Sequence, residues 1–88
     1  MKLLNLKTMK ETLVNYSGDQ EKFSKIWDMF YYLCCMRFIS WETWSKFIEQ
    51  CSGWYYDEYS NCIRDERQSE EGVDSIVWKY TPDAKYHA

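Results

Sequence analysis

The sequence predicts an α+β fold in a single domain, with about three helices followed by a short C-terminal β-hairpin. Up to about residue 52, apolar side chains recur at the helical steps of three and four. Residues 75–80 instead alternate between polar and apolar side chains, as a half-buried strand does. The 88 residues suffice for one domain, 1–88, with a modest core. An all-α fold is the alternative, because residues 54–59 could also continue as a helix.

The first helix is predicted over residues 3–16. The side chains that share one of its faces are Leu6, Met9, Leu13 and Tyr16. The Ser17-Gly18-Asp19 segment breaks the pattern. Ser17 with Gln20 fits a capping box, and Asp19 places negative charge where the next helix begins.

The second helix is predicted over residues 19–38. Its helical step is followed by Phe23, Ile26, Phe30, Leu33 and Arg37. From Met29 to Met36 it is uncharged and apolar on nearly every side. A helix that is apolar all round is covered all round. We therefore expect a central core helix, or one that gives a face to another subunit.

Ser40 is expected to cap a third helix over residues 41–52, and Gly53 to close it with a left-handed C-cap. The face expected in the core carries Trp41, Trp44, Ile48 and Cys51, with Phe47 beside it.

The C-terminal third is predicted to pair residues 61–67 with residues 74–80 around a turn at 69–72. Such a small hairpin needs the helices against one of its faces. After Pro82 the chain is polar, and residues 82–88 are predicted to form a flexible tail.

The residues that catalysis or metal binding would need are poorly placed. The four cysteines include no C-x2-C pair, and the adjacent Cys34 and Cys35 point about 100° apart on a helix. The single histidine, His87, lies next to the C-terminus. We therefore expect no catalytic residue, no metal and no cofactor. The N-terminus lacks the apolar run of a signal peptide, so a cytoplasmic protein with reduced thiols is expected.

Aromatic residues and negative charge are both concentrated. Five Trp, eight Tyr and four Phe exceed what so small a core can hide. Residues 53–74 hold two Arg against seven acidic residues, a sum of −5 in a chain of net charge −3. The predicted partner-binding surface joins rings and carboxylates: Trp54, Tyr55, Tyr56, Asp57, Glu58, Tyr59, Asp65, Glu66, Glu70, Glu71 and Asp74. Alternatively, these rings complete the core and the acids are merely solvated.

Rings flanked by carboxylates suit a partner protein with a basic groove, such as a nucleic-acid-processing enzyme. In size, acidity and aromatic density the chain resembles the small proteins that bacteriophages make against host defences. These include anti-CRISPR and anti-restriction proteins and toxin inhibitors. No motif here identifies a family, so no functional residue is carried over. The predicted function is inhibition: the protein blocks a nucleic-acid site or the assembly of a larger enzyme.

Two other functions remain open. The first is a homo-oligomeric structural or scaffold protein whose seam is the apolar second helix. The second is a small RNA-binding regulator that uses exposed aromatics and Lys2, Lys7, Lys10, Lys22 and Lys25. Direct nucleic-acid binding is disfavoured because the densest aromatic run lies in the most acidic segment. No membrane role is expected, since the uncharged run is too short to span a bilayer.

Overall fold

A computed structural model describes residues 3–88. Three helices come first: α1 (Leu6–Tyr16), α2 (Gln20–Cys35) and α3 (Trp41–Cys51). Three strands follow, and they form one antiparallel sheet in the order β1-β2-β3: β1 (Trp54–Asp57), β2 (Cys62–Glu70) and β3 (Val73–Lys79). The predicted α+β fold and C-terminal hairpin are confirmed. The all-α alternative is wrong, because residues 54–57 pair with β2 as a strand.

Each helix begins at a short polar side chain that accepts a hydrogen bond from the backbone N–H three residues further on. The acceptors are Asn5 at 2.7 Å, Asp19 at 2.7 Å and Ser40 at 3.1 Å. Such caps satisfy backbone donors that have no partner within the helix. The cap predicted at Ser40 is confirmed. The capping box predicted at Ser17 is wrong, because Asp19 caps α2 while Ser17 is buried at the end of α1.

The C-terminus of α2 closes with paired hydrogen bonds around a left-handed residue. Arg37 has φ +68°, and its N–H donates to the Cys34 carbonyl at 3.0 Å. The next N–H, of Phe38, donates to the Leu33 carbonyl at 2.8 Å. This is the Schellman arrangement, in which glycine usually occupies the left-handed position. An arginine there strains the backbone by about 1 kcal/mol.

The core lies between the helices and one face of the sheet, and Phe47 is at its centre. The Phe47 ring is fully buried, with its centroid 4.5 Å from that of Trp27, 5.4 Å from Phe30 and 5.8 Å from Trp44. Aromatic pairs at such separations add stability beyond their area burial. The buried cluster comprises Met9, Leu13, Val14, Phe23, Phe30, Cys34, Ile39, Trp44, Phe47, Cys51, Tyr56 and Ile63.

The buried stripe of α3 is narrower than predicted. Trp44, Phe47 and Cys51 are buried, whereas Trp41 is 63% exposed and Ile48 is 40% exposed. At 100° per residue, Trp41 and Ile48 lie about 70–90° round the helix from the centre of that stripe. The expectation that Trp41 and Ile48 share the core face is therefore wrong.

The end of α3 is held by a residue from the sheet. The guanidinium of Arg67 donates to the carbonyls of Glu49 and Gln50, each at 2.6 Å. A cation at this end also interacts favourably with the helix dipole. The left-handed cap predicted at Gly53 is wrong, because the helix ends at Ser52 in a right-handed conformation and Gly53 has no positive φ.

Gly53 is required instead by a close approach of two chain segments. Its carbonyl accepts a hydrogen bond from the backbone N–H of Glu66 at 2.9 Å. A Cβ atom on Gly53 would lie 2.6 Å from Nε and 2.7 Å from Cγ of Arg67, and it would also collide with the Asp65 carboxylate. Glycine therefore lets β2 lie against the end of α3.

The C-terminal residues lie against α1 instead of forming the free tail that the sequence predicts for 82–88. Tyr86 exchanges two hydrogen bonds with the Asn15 side chain, at 2.9 Å and 3.1 Å. Its ring lies 5.7 Å from that of Trp78. The backbone N–H of Ala88 donates to Glu11 at 3.2 Å. These contacts follow from the aromatic Tyr86 within an otherwise polar segment.

We expect Gly53→Ala to lower the free energy of unfolding by about 1–3 kcal/mol, because the methyl group forces β2 away from α3. Chemical denaturation monitored by Trp fluorescence measures this change. The control repeats Gly53→Ala in an Arg67→Ala background, where the Nε and Cγ atoms that the new methyl group would meet are absent. An equal loss of stability in both backgrounds would mean that the close approach of Arg67 does not decide the effect at Gly53.

A second prediction separates two tryptophans of α3. Trp44→Ala should lower the free energy of unfolding by about 3–5 kcal/mol, because it leaves a cavity beside Phe47. Trp41→Ala should change it by less than about 1 kcal/mol, because most of the Trp41 ring is in solvent. The same denaturation experiment compares them. Comparable losses would contradict the orientation of α3.

Candidate protein-binding surfaces

Only one ring of the predicted partner-binding surface is freely exposed. Tyr56 is buried in the core, where its hydroxyl donates to the Asn61 side chain. Trp54 and Tyr55 are half-buried. Tyr59 is fully exposed in the turn after β1. Tyr56 is thus a structural residue, and the expectation that surplus rings surround the acidic segment is wrong.

Two carboxylates of the predicted surface belong to a polar network on the sheet. Arg64 donates to Asp57 at 2.7 Å through Nε, and to the backbone carbonyl of Asp74 at 2.7 Å through Nη1. The Asp74 carboxylate accepts hydrogen bonds from Ser69 at 2.5 Å and from the Tyr55 hydroxyl at 2.6 Å. The network links all three strands, because Tyr55 and Asp57 lie on β1, Arg64 and Ser69 on β2, and Asp74 on β3.

The same contacts change the acidity of the network residues. The hydrogen bond from Arg64 lowers the pKa of Asp57. The hydrogen bonds from Ser69 and Tyr55 lower the pKa of Asp74. In return, the hydrogen bond to Asp74 raises the pKa of Tyr55 to about 12. Because both carboxylates already accept hydrogen bonds within the protein, Asp57 and Asp74 are poor candidates for attracting a partner.

Two further acids of the predicted surface also have partners within the chain. Asp65 is buried, and its carboxylate accepts from the backbone N–H of Arg67 at 3.0 Å. Glu58 is exposed and accepts from the N–H of Gln20 at 3.4 Å, at the start of α2. Asp65 therefore supports the fold through its hydrogen bond with the Arg67 backbone, a contact that the sequence pattern does not reveal.

Three acids remain free in the second half of the β2–β3 hairpin: Glu66 beside the junction with Gly53, and Glu70 and Glu71 at the turn. Each is exposed, and none makes an ion pair or a side-chain hydrogen bond with any residue from 3 to 88. Past Asp65, β2 pairs with β3 at Ser69 and Glu70, and among residues 3–88 no strand pairs with the other edge of β2 there. We call Glu66, Glu70 and Glu71 the acidic hairpin end.

The tip of the hairpin is a tight turn with an unusual residue in it. Glu70 pairs with Val73, and the two residues between them, Glu71 and Gly72, have φ +53° and +79°. Positive φ at both positions is the type I′ turn, which favours Asn-Gly. Glutamate in the left-handed position strains the backbone by about 1 kcal/mol.

Beside this turn lies a shallow groove of about 700 Å³. Val73 and Ile76 contribute apolar surface to it and are 59% and 50% exposed. The groove is lined by Arg64, Glu70, Glu71, Val73, Asp74, Ser75 and Ile76. Aliphatic side chains, not rings, thus accompany the exposed carboxylates.

The exposed rings lie on the helices. On α2, Tyr31 is 55% exposed and Tyr32 is 61% exposed. On α3, Trp41 is 63% exposed. The Tyr31 ring lies 5.9 Å from that of Trp44, which connects the two helices. We call the exposed apolar side chains of the two helices the α2–α3 apolar surface: Met29, Tyr31, Tyr32, Met36, Trp41 and Ile48, of which Met29 lies on the side of α2 that faces α1. The uncharged run of α2 was the signal for it in the sequence.

Among the lysines invoked for RNA binding, Lys22 and Lys25 lie beside the same groove, whereas Lys10 lines a different one. Lys25 pairs with Glu21 at 3.0 Å. Lys22 and Lys25 flank an apolar groove of about 360 Å³ between α1 and α2, into which Tyr16 and Met29 also project. Lys2 lies outside the described residues. RNA binding stays an untested prediction.

Cys35 is exposed, while Cys34, Cys51 and Cys62 are buried. Burial raises the pKa of Cys34, and it raises that of Cys51 to about 12. Within residues 3–88, no three His, Cys, Asp or Glu side chains are grouped to hold a metal ion. None of the helices formed by these residues has the length and apolarity needed to cross a bilayer.

Comparison with protein-family models, with curated proteins and with solved structures finds no match to this chain. No relative therefore assigns a role to any residue. Function has to be inferred from the two surfaces themselves: the acidic hairpin end and the α2–α3 apolar surface.

We expect Asp74→Asn to make the stability of the protein less sensitive to acid pH. Because the folded-state pKa values of Asp57 and Asp74 are lowered, each carboxylate stabilises the fold above its ordinary pKa of about 3.9. That contribution is lost as the pH falls through the lowered values. Thermal unfolding between about pH 7 and pH 2 should show a smaller fall in Tm for the variant than for the wild type.

The same variant should lower the pKa of Tyr55 from about 12 toward its ordinary value of about 10, as followed by NMR of the ring. Asp83→Asn is the control, since Asp83 is exposed and makes no hydrogen bond within residues 3–88. If both variants follow the same acid profile, the network does not contribute to stability.

Proposed function

We propose that the protein acts by binding another protein and inhibiting it. Its acidic hairpin end docks in a basic groove of a larger, nucleic-acid-processing enzyme and keeps nucleic acid out. The proposed place of action is the cytoplasm, which is the host's cytoplasm if the chain is encoded by a phage. The role fits an anti-defence or host-takeover protein.

The main support for this proposal is that some carboxylates of the predicted surface have partners within the fold and others have none among residues 3–88. Asp57, Asp65 and Asp74 have partners within the fold, whereas Glu66, Glu70 and Glu71 have none among residues 3–88. Unmatched carboxylates on a projecting hairpin steer a basic partner toward it. They also displace the ions condensed in a groove that normally binds phosphates.

Val73 and Ile76 complete the surface by supplying apolar contact beside the charges. Charge fixes orientation and accelerates encounter, while desolvated apolar contact slows dissociation. The groove beside the turn therefore offers a partner's lysine or arginine both a carboxylate for its head and an aliphatic wall for its stem.

The backbone at Glu71 supports the same conclusion. Glu71 holds φ +53° in a turn where asparagine is the more stable choice. Strain of this kind persists where a side chain serves a function other than folding. A carboxylate at the tip of the hairpin is complementary in charge to a basic groove, which accounts for glutamate at this position.

The test reverses the charge of the acidic hairpin end. The immobilised protein is offered the heparin-binding fraction of a bacterial lysate, which is enriched in proteins with basic grooves. The wild type should retain a discrete protein that short duplex DNA displaces and that high salt releases. Glu66→Lys/Glu70→Lys/Glu71→Lys should lose this protein, while its Tm changes little because all three side chains are in solvent.

The control reverses three exposed acids elsewhere: Glu42→Lys/Glu49→Lys/Asp83→Lys changes the net charge equally and should retain the protein. Glu71→Asn separates stability from binding, since it should raise the free energy of unfolding by about 0.5–1 kcal/mol and yet weaken capture. Equal capture by both triple variants would show that the hairpin is not the contact. Capture that duplex DNA cannot displace would contradict a nucleic-acid groove as the target.

A further inference from the structure

We propose that the protein also binds a small apolar carboxylate, of the chemical class of a medium-chain fatty acid, in a pocket between the end of α2 and the start of α3. The pocket has a volume of about 410 Å³. Small-molecule sites typically measure about 300–1,000 Å³. None of the residues of the acidic hairpin end lines this pocket, so the inference does not depend on the proposed inhibition.

Three segments of the chain meet at this pocket, and local hydrogen bonds fix each of them. The backbone N–H of Leu4 donates to the Phe38 carbonyl at 3.1 Å, which holds the residues before α1 beside the end of α2. The N–H of Phe38 closes α2 by donating to Leu33, and Ser40 caps α3. The pocket is thus preformed by the fold, as small-molecule sites usually are.

Most of the pocket lining is apolar, and part of it is deeply buried. Cys34 and Ile39 are buried and form the floor, whereas Leu3 is half-exposed and Trp41 is largely exposed at the rim. The Ser40 hydroxyl also lies in the lining, but it is already hydrogen-bonded to Thr43. A lining of this composition favours a ligand with an apolar body.

The guanidinium of Arg37 is the only charge in this lining among residues 3–88. The Arg37 side chain is exposed, and it makes no ion pair or side-chain hydrogen bond with any residue from 3 to 88. A guanidinium binds a carboxylate through two parallel hydrogen bonds. An unmatched guanidinium above an apolar floor is therefore complementary to a carboxylate on an apolar body, while it repels a cationic ligand.

The backbone at Arg37 is a second indication that this side chain serves a function other than folding. Arg37 holds φ +68°, a position where glycine would end α2 without strain. The last turn of α2 carries no basic residue, although a cation there would interact with the helix dipole from a relaxed backbone. Backbone strain persists at positions that serve a function. We attribute the strained arginine to the pocket that it lines.

The apolar groove between α1 and α2 fits a carboxylate less well. It is flanked by Lys22 and Lys25, and Lys25 is already paired with Glu21 at 3.0 Å. Lysine also meets a carboxylate as a point charge, without the paired donors of a guanidinium. The pocket at Arg37 is therefore the better site, and the experiment compares the two.

Octanoate is the probe, and NMR of the five Trp indole N–H groups follows its binding. The Trp41 signal, identified with Trp41→Phe, should shift and saturate with a dissociation constant of about 1 mM or below. The signal of Trp78, which does not line the pocket, should not move. Octan-1-ol should bind at least about tenfold more weakly, because it offers no charge to Arg37. Octylammonium should not shift the Trp41 signal.

Arg37→Gly separates ligand binding from stability. The variant loses the guanidinium and the backbone strain together, so its affinity for octanoate should fall at least about tenfold while its Tm stays at or above that of the wild type. Arg37→Lys keeps the charge without the paired donors and should bind with intermediate affinity. Lys22→Ala/Lys25→Ala is the matched control, since it removes the cations of the other groove and should bind octanoate as the wild type does.

Loss of octanoate binding in Lys22→Ala/Lys25→Ala but not in Arg37→Gly would assign the ligand to the other groove and overturn the proposal. Equal affinities for octanoate and octan-1-ol would contradict recognition of the carboxylate. A Trp41 signal that stays unmoved in the wild type at about 10 mM octanoate would refute the site itself. The charge-reversed hairpin variant should bind octanoate normally, so this inference and the proposed inhibition can fail one at a time.

Discussion

The fold depends on the point where β2 meets the end of α3. Arg67 satisfies the carbonyls of Glu49 and Gln50, which a helix C-terminus leaves without partners, and the Glu66 N–H is satisfied by Gly53. The register between β2 and β3 shifts between Asp65 and Ser69, and this bulge turns residues 66–68 toward the helix. One local irregularity thus joins the helical half of the molecule to its sheet.

The bulge also separates two parts of the hairpin. Before it, β2 is the central strand, with β1 on one side and β3 on the other. After it, Ser69 and Glu70 pair only with β3 among residues 3–88, and none of α1, α2 and α3 packs against this end closely enough to bury it. A two-stranded segment that buries little apolar surface has low local stability. Glu70 and Glu71 therefore lie on the least constrained part of the sheet, where a partner can adjust the backbone at small cost, whereas the backbone of Glu66 is held by Gly53.

Local patterns in the sequence predicted most of the architecture. Periodicity predicted three helices, the Ser40 cap and the pairing of the hairpin, because each depends on neighbouring residues. It did not distinguish the exposed Trp41 from the buried Trp44, because periodicity indicates which face of a helix is buried but not how wide the buried face is. It also missed the junction at Gly53 and the docking of Tyr86, since both depend on contacts between distant segments.

The candidate surface was predicted in part for the same reason. Exposure of Glu66, Glu70 and Glu71 follows from local polarity, and the structure agrees. Which of the other acids are matched could not be predicted, because Arg64 and Arg67 reach their partners across strands and turns. The rings were assigned to the wrong part of the molecule because Trp54, Tyr55 and Tyr56 belong to a strand that covers the helices.

Adjacent cysteines on α2 have opposite surroundings, and this concentrates thiol chemistry at one place. Cys34 faces the core, and burial raises its pKa, while Cys35 is in solvent among Tyr31, Tyr32 and Met36. Peroxide or an electrophile therefore reaches Cys35 first and leaves the other three thiols intact. Sulfenic acid formed there would introduce a polar group beside Tyr31 on the exposed side of α2, so oxidation would change this surface without unfolding the chain.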